Sequence, residues 1–206
     1  MSILSLHVID RRILWTIQWT HVMCLTEVED MVALVILRNW LRTMRICLPT
    51  LLFCNHAESR AIARYISDKY DSQGTKLFGS SLKERALVNQ WIEVESQNYN
   101  PAVSSIVFQI VFTPMFGLKR NEAVVDEQVA KLEKVLDVYE AHLSKSKYLA
   151  GDFFSLADLS HLPYTNLLVN ATDKAEVITS RPHVHAWWKD ISSRPSFTKV
   201  LGFQKQ

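Results

Sequence analysis

Apolar residues in the second two-thirds of this 206-residue chain recur with a helical period. Between Glu122 and Leu143 they fall at Val125, Val129, Leu132, Leu136, Tyr139 and Leu143, in steps of four, three, four, three and four. That spacing keeps one face apolar over six turns and predicts a strongly amphipathic helix. Upstream, Glu58 to Tyr70 predicts a short helix with Ile62, Tyr65 and Ile66 on one face. Leu82 to Phe116 predicts a long one striped by Leu87, Trp91 and Val94, bent at Pro101 and ended by Pro114 and Gly117. Tyr148 to Phe154 reads as a loop around Gly151-Asp152. Ser155-Leu156-Ala157-Asp158 then has the S-x-x-D spacing of a capping box, and it opens a helix carrying Leu159, Leu162 and Leu167. Pro182 starts a last helix with Val184, Trp187, Trp188 and Ile191 inward, closed before Pro195. These patterns predict an all-α bundle of about 125 residues.

The first third has a different character. No glycine precedes Gly74 and no lysine precedes Lys69, whereas Cys24, Cys47, Cys54 and three of the six tryptophans all lie before residue 58. A segment without glycine is hard to thread through several tight turns. Overall composition is that of a soluble globular protein, with 48% hydrophobic and 21% charged residues. A net charge of +2 without a basic stripe argues against nucleic acid as the main partner. The apolar run Met31 to Leu37 is far shorter than the roughly 20 residues of a membrane span, and Asp10, Arg11 and Arg12 interrupt any secretory signal. Three cysteines without CxxC spacing give neither a disulfide framework nor a zinc site, and His183 and His185 lack a third ligand. No metal is expected, and the expected address is the reducing cytoplasm.

Four stretches carry a resemblance: ESRAIARYISDKY (58–70), WIEVESQNYNPA (91–102), VVDEQVAKLEKVLDVYEAHLSKSKYLAGDFFSLADLSHLP (124–163) and RPHVHAWWKDISSRP (181–195). In this order and spacing, residues 57 to 200 resemble a plant phi-class glutathione transferase. The resemblance implies an α+β to mainly α protein, with a thioredoxin-like glutathione-binding unit at 1–72 and a helical C-terminal domain at 80–206. It implies transfer of glutathione to hydrophobic electrophiles in detoxification, with glutathione as co-substrate, no cofactor, and assembly as a homodimer. It also assigns Glu58 and Ser59 to the γ-glutamyl end of glutathione.

Elementary electrostatics gives that last assignment a rationale. A helix starting at Ser59 aims unpaired N–H groups and a positive dipole end outward, where a carboxylate is well held. Glu58, just outside, suits an ammonium group. The same two residues are also what an ordinary helix start requires, with Ser59 as N-cap and Glu58 as a dipole-favoured acid. By resemblance, the apolar run Phe108, Val111, Phe112, Met115 and Phe116 lies near the hydrophobic co-substrate pocket; plain core or dimer contact is the other reading. Ser155 and Asp158 are structural, the capping box.

Other family features have no counterpart here. SLHVIDRRILWTIQWTHV shows no motif around a catalytic serine, although Ser2, Ser5, Thr16 and Thr20 offer hydroxyls. Pro49 follows Leu48 and lies two residues too close to Glu58 to be the family's cis-proline. Residues 1–57 therefore read either as a degenerate or incomplete thioredoxin-like unit or as a segment of foreign coding origin. Impaired conjugating activity is expected, the alternative being a noncatalytic glutathione-transferase-like protein that binds ligands or a dimer partner.

Overall fold

A computed structural model describes residues 59–203, and the expectations for Glu58 and for residues 1–57 lie outside the described residues. The described chain is helical. It runs from α1 (Ser59–Lys69) through a 3-10 turn (Asp71–Gln73) to α2 (Leu82–Val94), α3 (Asn100–Val107) and α4 (Thr113–Met115). It continues with α5 (Glu122–Leu143), α6 (Leu156–Ala171), α7 (Glu176–Thr179), α8 (Pro182–Ser192) and α9 (Pro195–Phe203). Helix α3 packs against both α5 and α6, and α8 closes on α5 and α6.

The stripe read on α5 faces this core. Val125, Leu132, Leu136, Tyr139 and Leu143 are buried, and Val129 is partly so. On α1 the buried residues are Ser59, Ala63, Ile66 and Ser67, while Tyr65 is 38% exposed, contrary to the expectation for it. Small side chains let α1 approach α6 closely, and the bulky ring is turned outward to lie near the Lys69 ammonium.

The expected long helix from Leu82 is continuous to Met115 but changes type twice. A π-helical turn, Glu95–Tyr99, separates α2 from α3, and a second, Phe108–Phe112, separates α3 from α4. Pro101 lacks an N–H and its ring would collide with the carbonyl four residues back. The ladder loosens just before it, so that the Asn100 N–H bonds the Glu95 carbonyl, five residues back. The bend expected at Pro101 thus takes the form of a wider turn. In the second such turn the Thr113 hydroxyl donates to the Phe108 carbonyl at 3.1 Å. The chain also continues past Pro195 into α9, where proline occupies the first-turn position that suits it.

The stretch before α2 is fastened to the bundle. Leu77 and Phe78 are buried, and the Leu77 carbonyl accepts from the Leu156 N–H at 2.8 Å. Ser81 caps α2 in a reciprocal box with Glu84, whose carboxylate also accepts from Ser80 N–H at 2.6 Å. Gly79 has φ +81°, and a Cβ built on it would lie 2.6 Å from Cβ of Glu84. Gly79→Ala is expected to destabilise the chain by about 1–3 kcal/mol, read as a lowered urea midpoint. An unshifted midpoint would refute the strain at this turn.

Candidate functional site

Ser59 opens α1 and is buried, on the lining of a small crevice where α1 meets the helical bundle. The crevice is lined by Ser59 and Arg60 from α1, Glu95 from the first π-helical turn, Asn100 from the start of α3, and Ser160, Pro163 and Tyr164 from α6. Across it, Arg60 Nε donates to Glu95 Oε2 at 2.7 Å, and Arg60 Nη2 lies 2.6 Å from the same oxygen. Glu95 is 2% exposed and Arg60 19%. Burial pushes the Glu95 carboxyl up to about 7, against the opposing pull of the Arg60 guanidinium. Two further pairs, Arg64 with Glu93 at 2.8 Å and Arg85 with Asp68 at 2.8 Å, join α1 to α2 at the surface.

Below the crevice the core is polar and aromatic. Tyr99 and Thr165 hydroxyls are 2.7 Å apart, and Thr165 donates to the His161 carbonyl. His161 is fully buried. Its Nδ1 lies 2.7 Å from the Ala157 carbonyl, so that nitrogen carries the proton; Nε2, 3.1 Å from the Tyr139 hydroxyl, accepts. Burial, with Arg60 adding to it, lowers the His161 pKa to about 3 against the opposing bond to Ala157. The ring stays neutral and is a satisfied core histidine.

Asp158 is fully buried as well. Its Oδ2 accepts from the N–H and hydroxyl of Ser155 at 3.0 and 2.8 Å. Its Oδ1 accepts from Leu149 N–H at 3.0 Å and from Trp187 Nε1 at 2.9 Å. The carboxylate thus joins the start of α6 to the preceding loop and to α8. Burial pushes its carboxyl up, and these four hydrogen bonds hold it down.

The apolar run lies apart from this polar centre. Phe108, Met115 and Phe116 are 51%, 74% and 66% exposed, whereas Val111 and Phe112 are partly buried against the core. Ring centroids of Phe108 and Phe112 stand 6.3 Å apart. This exposure exceeds what a plain core stripe would show. His183, singled out in the sequence, bonds Glu140 through Nδ1 at 2.7 Å, and His142 bonds the Leu149 carbonyl at 2.9 Å. Among the described residues no three His, Cys, Asp or Glu side chains gather as a metal site, and no helix is long and apolar enough to cross a membrane.

Comparison with known proteins accounts for this architecture. Residues 100–195 match the family described as glutathione S-transferase, C-terminal domain. Glutathione S-transferase F9 of Arabidopsis thaliana is 51% identical over 144 residues, which are 70% of this chain and 67% of that protein. Glutathione transferase F7 from Populus trichocarpa is similar in structure, with a TM-score of 0.68 at 54% identity, covering 71% of this chain and 68% of the other. Glutathione S-transferase I from maize, solved in complex with an atrazine glutathione conjugate, gives a TM-score of 0.70 at 36% identity over 86% of this chain and 93% of the other. The chain belongs to the glutathione S-transferase family, in its plant phi class. The matched stretch spans about two thirds of the length of the curated relatives.

Proposed function

We propose that this chain is a phi-class glutathione transferase that joins the glutathione thiolate to hydrophobic electrophiles, in the cytoplasm and as a homodimer. Residues 1–72 form the glutathione-binding unit and residues 80–206 the helical unit. The observation that carries the reading is the placement of Ser59: a buried serine at the first position of α1, on a small crevice. The N–H groups of that first turn, with the Ser59 hydroxyl, suit the α-carboxylate of a γ-glutamyl group, and Glu58 suits its ammonium. The glutathione conjugate held by the maize relative supports the substrate class. Exposed Phe108, Met115 and Phe116, with Val111 and Phe112 beside them, provide apolar surface for the electrophile.

Conjugation requires the thiol to be ionised, and a thiol without a nearby donor keeps a pKa of about 8.5. Residues 1–57 carry no recognisable serine motif, so turnover is expected well below that of a phi enzyme that has one. The test is turnover of a chlorinated nitrobenzene with glutathione, paired with glutathione calorimetry. Replacing Glu58 by Gln and Ser59 by Ala is expected to weaken glutathione binding about tenfold or more. Turnover indifferent to both replacements would reject the site. A second reading, a noncatalytic member that binds apolar ligands, draws on the same exposed aromatic surface. It predicts that glutathione addition leaves ligand binding unchanged and that no conjugate forms.

A further inference from the structure

We propose that Thr113 is a positioning residue for the exposed apolar surface: it closes the second π-helical turn and the end of α4 together, and so sets where Phe108, Phe116 and Leu118 stand and how tightly an electrophile is held there. The inference rests on the reading of that surface as the electrophile's and deepens it. Thr113 is 6% exposed, whereas Phe108, Met115, Phe116 and Leu118 on either side of it are large apolar residues open to solvent. Upstream, the Phe108 carbonyl accepts twice from Thr113, from its backbone N–H and, at 3.1 Å, from its hydroxyl. Threonine in an ordinary helix bonds back to a carbonyl three or four residues away; here the wider turn brings the fifth into reach. Pro114 follows and has no N–H, so Thr113 is the last residue before it whose backbone can close this turn.

Downstream, the Thr113 carbonyl accepts from Phe116 N–H at 3.2 Å and from Leu118 N–H at 3.1 Å, while Gly117 N–H reaches the Pro114 carbonyl at 2.9 Å. Gly117, at φ +74°, is the left-handed residue that such a helix end requires. Phe108, Phe116 and Leu118 are therefore all bonded to one buried residue, the first through its N–H and hydroxyl and the other two through its carbonyl. The extra residue in the π-helical turn shifts the side chains after it around the helix axis by about 100°, one residue's step. Which of them face outward thus depends on that turn staying closed. Without the hydroxyl the Phe108 carbonyl keeps a single donor, and the two halves of the surface lose the link that fixes their spacing.

The experiment uses the full chain as parent, Thr113→Val and Thr113→Ser. Valine keeps the branched shape and removes the donor; serine keeps the donor. With glutathione saturating and a chlorinated nitrobenzene varied, Thr113→Val is expected to raise the electrophile KM about fivefold, with kcat and the glutathione KM within about twofold of the parent, because only binding of the apolar partner is lost. Thr113→Ser is expected to restore the parent's KM. Hydrogen exchange over residues 108–118 is expected to accelerate about tenfold in Thr113→Val, while residues 156–171 keep the parent's protection. An unchanged electrophile KM in Thr113→Val overturns the proposal, and so does a loss that Thr113→Ser fails to repair. Where the parent forms no conjugate, the affinity for the apolar dye anilinonaphthalene sulfonate, read by its fluorescence, replaces KM with the same outcomes. A parent that neither conjugates nor binds the dye, but whose exchange over residues 108–118 quickens in Thr113→Val, rejects the electrophile surface and supports Thr113 as the residue that orders it; parental exchange there rejects both. Should Thr113→Val fail to fold, Thr113→Ala, smaller and also without the hydroxyl, is held to the same outcomes: a parental KM or parental exchange in it overturns the proposal.

Discussion

Asp158→Ala is expected to destabilise the chain by about 3–5 kcal/mol, several times the loss of an exposed cap. An ordinary N-cap box has water to replace the lost bonds. Here the carboxylate is fully buried, and Ser155 N–H, Leu149 N–H and Trp187 Nε1 would all lose their acceptor at once. The site is fully buried, so solvent does not readily take the place of the lost carboxylate. For a chain of this size the melting temperature falls by roughly 10 °C. Asp158→Asn separates shape from charge. It keeps one acceptor oxygen but turns an amide N–H toward donors, and about 2 kcal/mol or more is expected. Denaturant unfolding of the three proteins checks this, and parental stability in Asp158→Ala would show that the four bonds are not what holds α6 to α8.

Much of the helical unit could be read from spacing alone because its helices have one buried face each. The six apolar positions of α5 were readable for that reason, and so was the box at Ser155 and Asp158. Tyr65 escapes a reading by spacing because hydrophobicity ranks tyrosine above alanine and serine, whereas close packing of α1 on α6 selects the small residues. The box at Ser81 and Glu84 has the same local spacing and carries the same signal in the sequence. Glu95 left a signal too. Val88, Ile92, Tyr99, Ala102 and Ile106 are buried in steps that also include position 95, so a charge stands on the inward stripe. What no spacing reveals is its partner: Arg60, on another helix, is brought to Glu95 only by the fold. The same holds for Trp187 and Asp158, 29 residues apart.

The second large effect is a dependence on pH that runs through His161. In the unfolded chain its imidazole has a pKa of about 6.5, and in the folded chain burial lowers it to about 3. The folded state therefore binds fewer protons over that window. His161 contributes stability that is full above pH 6.5 and is lost progressively as pH falls toward 3. At about 1.4 kcal/mol for each unit, lowering the pH from 6.5 to 4 removes roughly 3 kcal/mol through this one ring. Glu95 works in the opposite sense. Its folded pKa is raised to about 7, so its stabilising contribution is present below the ordinary carboxylate range and is lost as pH rises through 7. A single stability curve mixes these two contributions with those of the surface carboxylates, so the measurement is a difference. His161→Asn keeps a donor for the Ala157 carbonyl but cannot titrate. It loses the acceptor for the Tyr139 hydroxyl and is expected to be less stable than the parent at pH 7.5 by about 1–3 kcal/mol. On acidification that gap should narrow, and by pH 4 it should close or reverse, because only the parent must keep an imidazole neutral in its core. Parallel stability curves for parent and variant from pH 7.5 to 4 would show that His161 is not held neutral by burial.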